Sequence, residues 1–159
     1  TRIANDGLIV AYGVTEPEAG SNVAALQTTA EPITDTAGAV TAYRLNGVKQ
    51  FITNGGVANI YTILARAPGG PSFFVVERES AGLEVGKKEE KHGIRASNTT
   101  SVILEDVVVP AENLIGGVEG ADDGDGLTAG LRVEVRVAAR ERETVGLAHG
   151  GPPPRSPPR

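Results

Sequence analysis

The stretch AVTAYRLNGVKQFIT, residues 39–53, carries two apolar, β-branched runs on either side of Asn46-Gly47. A two-residue hairpin turn needs positive φ at both central positions, which Asn and Gly tolerate best, so the stretch predicts two strands joined by a tight turn. Runs of the same kind lie on both sides of it: LIVAYGV at 8–14, IYTILAR at 60–66, SFFVVER at 72–78 and SVILEDVVV at 101–109. Gly, Pro and Asn punctuate the spaces between them, and no helical pattern separates them. A parallel sheet of βαβ units needs such helices, so that architecture is disfavoured. The fold class expected is all-β: a small antiparallel barrel-like or two-sheet domain, followed by a poorly ordered or partly helical C-terminal tail.

The boundary between domain and tail is compositional. All four lysines (Lys49, Lys87, Lys88, Lys91) and all six aromatic residues precede Gly117, whereas every base after it is an arginine. Residues 152–159 hold five of the ten prolines. The expected division is a β-domain over residues 1–117 and a divergent tail over residues 118–159. Within the tail, Leu127, Leu131, Val135, Ala138, Ala139 and Leu147 suggest a helical face over 126–150, although RVEVRV at 132–137 alternates like a strand. GPPPRSPPR at 151–159 has a polyproline composition that buries no core.

Composition narrows the function. Over 159 residues, 40% apolar and 22% charged side chains supply a packed core. A net charge of −5, 4% aromatics and no Trp argue against nucleic-acid binding. The absence of Cys excludes disulfides, thiolate metal sites and a Cys nucleophile. The chain opens with Thr1 and contains no Met, so a processed chain or a fragment is expected. Neither a signal peptide nor an apolar run of membrane-spanning length is visible.

Three segments carry candidate chemistry. The loop YGVTEPEAGSN at 12–22 follows an apolar strand and brings two glycines, Thr15 and Ser21 together. It can turn N–H groups and hydroxyls toward an acceptor-rich ligand; a plain surface turn is the alternative, and from spacing alone the better one. It matches neither the Walker phosphate loop nor GxGxxG. In FITNGG at 51–56, Phe51 and Thr53 alternate and so share a strand face, where one covers a flat ring and the other hydrogen-bonds to it. A core Phe and an ordinary strand Thr is the plain alternative. KKEEKHGIRASNTT at 87–100 reads as a solvated edge or loop. Its adjacent Glu89 and Glu90 point to opposite faces on a strand, which disfavours an acid/base dyad. His92 and His149 are the only histidines and lack the spacing of a metal site, and no Ser-His-Asp arrangement is specified.

Five segments occur together in order: AYGVTEPEAGSNVAALQTTA (11–30), LNGVKQFITNGG (45–56), FFVVE (73–77), GIRASNTT (93–100) and LEDVVVPAENLIG (104–116). In this order and spacing the chain, from about Arg2 to Gly117, resembles the acyl-CoA dehydrogenases. The resemblance implies the middle β-domain of a three-part flavoenzyme whose other two domains are helical. It implies FAD as cofactor, with Tyr12, Val14, Thr15, Gly20 and Ser21 along it and Phe51, Ile52 and Thr53 covering the flavin ring. Ser21 would also border the acyl-CoA thioester, and the Thr53 hydroxyl would lie near flavin N5. Many relatives carry Trp where Phe51 stands.

The implied reaction is α,β-dehydrogenation of an acyl-CoA thioester to a trans-2-enoyl-CoA. A glutamate removes the α-proton, the β-hydride passes to the flavin, and an electron-transfer flavoprotein collects the electrons. None of the glutamates here matches that base, which in most relatives lies in the C-terminal helical domain, so no catalytic residue and no metal is expected in this chain. ADDGDG at 121–126 departs from the family's continuation, and a frameshifted or truncated coding sequence is the expected cause. By resemblance the full-length form is a homo-tetramer, cytoplasmic in a prokaryote, with the mitochondrial matrix as the other setting. The competing readings are an isolated β-domain that binds flavin or acyl-CoA weakly or not at all, and a ligand-free β-sandwich interaction module.

Overall fold

The structure, a computed structural model, describes residues 2–117 and residue 119. Strands β1 (Val10–Gly13), β2 (Thr29–Thr34), β3 (Val40–Thr53), β4 (Ile60–Ala67), β5 (Gly70–Glu77), β6 (Leu83–Val85) and β7 (Thr99–Pro110) form one curled half-barrel sheet. Its path runs β1-β4-β2-β3-β7-β6, with β5 branching from β4. Helix among the described residues is limited to α1 (Arg2–Asn5) and two 3-10 turns, Val23–Ala25 and Ala111–Asn113. None is long and apolar enough to cross a membrane. The all-β expectation stands; the helix suggested over 126–150 and the Pro-rich end lie outside the described residues.

Two details of pairing differ from the sequence reading. First, β1 runs parallel to β4, from Val10↔Ile60 to Gly13↔Ile63, and β2 meets β4 in parallel at Thr29↔Arg66. No crossover helix is needed, because β2 and β3 themselves form the connection between β1 and β4. Second, Asn46-Gly47 is not a hairpin turn. Residues 40–53 form one continuous 14-residue strand, paired with β2 on one side and β7 on the other. The irregularity sits on β7, where the register slips between Leu45↔Val107 and Gly47↔Leu104. Asp106 there has φ 50°, and the Asn46 side chain clamps it, accepting from Asp106 N (2.8 Å) and donating to Asp106 Oδ1 (3.1 Å). Asn46 thus bonds across a β-bulge rather than shaping a turn.

Gly47 is required by a close approach. A Cβ there would lie 2.8 Å from Thr28 Cα, so only glycine lets the segment before β2 press onto β3.

The main core gathers inward side chains from six strands, among them Tyr43, Leu45, Tyr61, Ile63, Phe74, Val102 and Val107, each at most 4% exposed. Tyr43 and Phe74 meet with ring centroids 5.0 Å apart. β4 is buried on both faces: Tyr61 and Ile63 enter this core, while Leu64 joins a smaller cluster with Leu26 and Phe73. That explains its unbroken buried run, IYTILA, in place of alternation. Beyond the last strand, Glu119 reaches back to accept from Tyr43 Oη (2.8 Å) and Gly69 N (2.6 Å). Burial, and then the Glu119 anion, push the Tyr43 hydroxyl up to about 12.

Within this apolar interior sits an ion pair. Lys49 is fully buried and Glu16 is 4% exposed, with Lys49 Nζ 2.6 Å from Glu16 Oε1. The carboxylate also accepts from Gln27 N (2.6 Å), Thr28 N (3.0 Å) and the Thr28 hydroxyl, and Lys49 donates to Val14 O (3.3 Å). Burial works to raise the Glu16 pKa, but the bonds from Lys49, Thr28 and Gln27 together hold it below the usual 4.5. Burial dominates at Lys49 and draws it down to about 8 against the pull of Glu16.

Replacing Lys49 by Ala strands the Glu16 charge, and a loss of about 3–5 kcal/mol is expected in urea unfolding. Glu16→Gln combined with Lys49→Met should recover most of that; a single-variant loss below about 1 kcal/mol, a surface ion pair's worth, would contradict the assignment. The pH dependence has a definite sign. Glu16 binds its proton more weakly folded than unfolded, so its contribution is complete above 4.5 and disappears as pH falls through the lower folded value. Glu16→Gln should therefore flatten the acid limb of the stability profile.

Candidate functional site

The loop after β1 is stitched down at both ends and open in the middle. Beyond the Glu16 anchor, Glu16 N donates to Ala19 O (2.9 Å) and Ala19 N to Glu16 O (3.3 Å), closing a tight turn. This presents Pro17, Glu18, Gly20, Ser21 and Asn22 to solvent. A Cβ on Gly20 would meet nothing within 4 Å, so the chain's own packing does not demand glycine there. The Tyr12 ring stacks on Phe73, centroids 5.5 Å apart at 29°, and stays 40% exposed. Val14 packs into the cluster of Leu26, Leu64 and Phe73. Its side chain is therefore spent on packing, and its carbonyl already accepts from Lys49. Thr15 is half-buried.

The second segment owes its geometry to another bulge. Between Lys49↔Val102 and Ile52↔Thr100, β3 spends one residue more than β7. Strict alternation from Tyr43, Leu45 and Lys49 would put Phe51 inside; the extra residue reverses the faces. Ile52 enters the core at 2% exposure, and Phe51 turns out at 58% with φ 58°, a conformation costly for an aromatic residue. Thr53 is exposed too. Phe51 and Thr53 thus lie on the solvent side with Ile52 between them facing inward, so Ile52 offers a ligand its backbone alone.

The turn that follows is fully bonded. Asn54, at φ 63°, donates its N–H to Asn98 O (2.7 Å), and Gly56 N donates to Asn98 Oδ1 (2.9 Å). On the other side, Tyr61 Oη donates to Gly55 O (2.7 Å), while Arg78 Nη1 donates to Tyr61 Oη (2.8 Å) and Gly56 O (3.3 Å).

Gln50 N donates to Thr15 O at 2.8 Å, so the two segments singled out in sequence meet in space. Between them the two segments expose an aromatic ring, hydroxyls at Ser21 and Thr53, and a glycine-bearing loop. This set suits a flat ring system carrying polar substituents.

Of the third segment, residues 87–97 form a surface loop, as expected, whereas Asn98 bonds to the 54–56 turn and Thr99 and Thr100 begin β7 with their side chains buried. Lys87 and Glu90 pair at 3.7 Å in full solvent, a contact of little energetic weight. Lys88, Glu89, Glu90, Lys91 and Arg95 line an open depression of about 350 Å³. His92 is exposed, and His149 lies outside the described residues. Among the described residues no three His, Asp or Glu side chains gather as metal ligands.

Two features escaped the sequence reading. The Lys49–Glu16 pair had one signal, since alternation from Tyr43 and Leu45 places Lys49 inside. The role of Asn98 had none, because its partners lie 42 and 44 residues away in sequence.

Comparison with known proteins agrees with this fold. The profile for "Acyl-CoA dehydrogenase, middle domain" matches residues 11–107. A short-chain specific acyl-CoA dehydrogenase of Clostridium acetobutylicum is 46% identical over 119 residues, covering 72% of this chain and 30% of that protein. The structure of butyryl-CoA dehydrogenase from Megasphaera elsdenii superposes with a TM-score of 0.64 at 39% identity, covering 71% of this chain and 30% of that one. An acyl-CoA dehydrogenase from Bacillus anthracis, solved in complex with FAD, superposes with a TM-score of 0.59 at 43% identity, covering 65% of this chain and 17% of that one. The chain spans less than half the length of the curated relatives it matches. With its fold, its matched residues and these identities in agreement, the chain belongs to the acyl-CoA dehydrogenase family, through that family's middle domain.

Proposed function

We propose that this chain supplies the middle β-domain of an FAD-dependent acyl-CoA dehydrogenase that converts acyl-CoA thioesters to trans-2-enoyl-CoA. The observation that carries the reading is the Gln50 N to Thr15 O bond, which brings the open 12–22 loop beside the outward Phe51 and Thr53. The FAD complex of the Bacillus relative supports the choice of cofactor.

In this reading Tyr12, Thr15, Gly20 and Ser21 run along the cofactor with the backbone of Val14. Phe51 packs on the flavin ring, Ile52 contributes its backbone, and the Thr53 hydroxyl donates to the ring edge near N5. FAD, when bound, supplies the acceptor for the hydride leaving the acyl β-carbon. A donor fixed at that edge favours the form in which charge builds up there, and it needs no reorganisation because the strand already holds it. Ser21, at the open end of the loop, also borders the thioester.

We assign the proton-abstracting glutamate to none of the residues present, and we assign no metal. By itself the chain binds without turnover. An electron-transfer flavoprotein as electron acceptor, a homo-tetrameric assembly, and a prokaryotic cytoplasm or a mitochondrial matrix are proposed for the whole enzyme. The β-domain is taken to end at Gly117, with residues 118–159 a divergent tail whose Glu119 reaches back to Tyr43 and Gly69.

Titration of the chain with FAD, followed by flavin fluorescence, tests the reading. Saturable binding is expected, with Phe51→Ala weakening it roughly tenfold through lost stacking. No binding, or equal binding by the variant, would overturn it. Adding acyl-CoA and an artificial electron acceptor should give no turnover; measurable turnover would show that a base is present after all. For the domain boundary, a chain ending after Glu119 should keep the parent's melting temperature, because the Glu119 contacts to Tyr43 and Gly69 are retained. A clear drop would place part of the domain's packing in the tail.

A further inference from the structure

We propose that Asn98 is a positioning residue for the flavin-facing segment: it fixes the turn behind Thr53 and thereby the placement of the Thr53 hydroxyl. This rests on the flavin reading above. Asn98 belongs to the 87–100 segment, whose motif that reading leaves without a role.

β3 ends at Thr53, paired with Thr99, and the chain then turns sharply through Asn54, Gly55 and Gly56. Two donors of this turn go to one residue. Asn98 takes the Asn54 N–H on its backbone carbonyl and the Gly56 N–H on its side-chain oxygen. The turn's carbonyls are held from the other side, Gly55 O by Tyr61 and Gly56 O by Arg78. The side chain of Asn98 is therefore the acceptor arm of a two-sided clamp. The fit is close: a Cβ on Gly56 would stand 2.5 Å from Asn98 Oδ1, so glycine at 56 makes room for the amide.

The clamp acts selectively on one of the two flavin-facing side chains. Phe51 is separated from the turn by Ile52, which is anchored in the core. Thr53 has no core side-chain anchor; it is exposed, and past its pairing with Thr99 the chain enters the turn at once through Asn54, two residues before the Gly56 N–H that the Asn98 side chain holds. Release of Gly56 N–H leaves a half-buried donor seeking a new partner, and the turn shifts to find one. Thr53 moves with it, whereas the Phe51 ring stays in place.

The test uses the full 159-residue chain. Asn98→Ala removes the acceptor, and Asn98→Asp keeps one. In the unliganded chain, amide exchange at Gly56 should speed up roughly tenfold in Asn98→Ala and stay near the parent's rate in Asn98→Asp. FAD titration should show roughly fivefold weaker binding for Asn98→Ala and recovery in Asn98→Asp. In a Thr53→Val background Asn98→Ala should have no further effect, because the coupling runs through the hydroxyl. Unchanged exchange at Gly56 would overturn the clamp whatever the flavin does. An undiminished fivefold effect in the Thr53→Val background would overturn the link to Thr53. Failure of the parent chain to bind FAD would overturn the flavin reading, and with it the role at Thr53.

Discussion

The buried Glu16–Lys49 pair is the constraint on which the rest of the structure depends. It joins the loop leaving β1 to the middle of β3, next to the Gln50 N to Thr15 O bond between the same two stretches. One carboxylate gathers the ammonium of Lys49, the backbone of Gln27 and Thr28, and the Thr28 hydroxyl. Both ends of a long, otherwise irregular segment are thereby drawn to a single point. Such a pair need not stabilise more than two apolar side chains of similar volume would. Its value here is geometric, because charged partners with saturated hydrogen bonds tolerate only one arrangement.

The same strand that provides Lys49 also displays the outward aromatic, and two irregularities in the β3–β7 ladder make this possible. At the first, Gly47 gives up its side chain so that Thr28 can come close enough to reach Glu16. At the second, one extra residue on β3 reverses the faces, placing Lys49 and Ile52 inside and Phe51 outside. A regular strand would bury either Lys49 with Phe51 or neither. The bulge lets one short sequence hold an internal anchor and an external contact surface within three residues.

Backbone strain follows the same logic. Of the four non-glycine residues at positive φ among the described residues, Asp106 and Asn54 are each supported by a hydrogen-bonding asparagine, Asn46 and Asn98. Phe51 gains no such support, and its ring is not rewarded by burial. An aromatic residue held in a costly conformation and turned to solvent is expected where its partner is a ligand rather than the protein itself.

From the residue pattern alone it followed that the protein is built of strands, roughly where most of them lie, and that the 12–22 and 51–56 segments are the candidates for its chemistry. Apolar runs of alternating or continuous pattern are local properties, and the five ordered motifs sit in the chain as written. Local pattern failed at Asn46-Gly47, where a strong turn signal served a bulge and a close contact, because turn preference yields to a strand paired on both sides. It failed also to foresee β1 alongside β4 in parallel, which follows from the path of β2 and β3 between them. Only the tertiary structure decided that Val14 and Ile52 spend their side chains on packing, that Lys49 and Glu16 meet, and that Asn98 grips the turn after Thr53. Each of these rests on contacts between residues far apart in sequence, and such contacts are set by how the sheet curls rather than by any local preference.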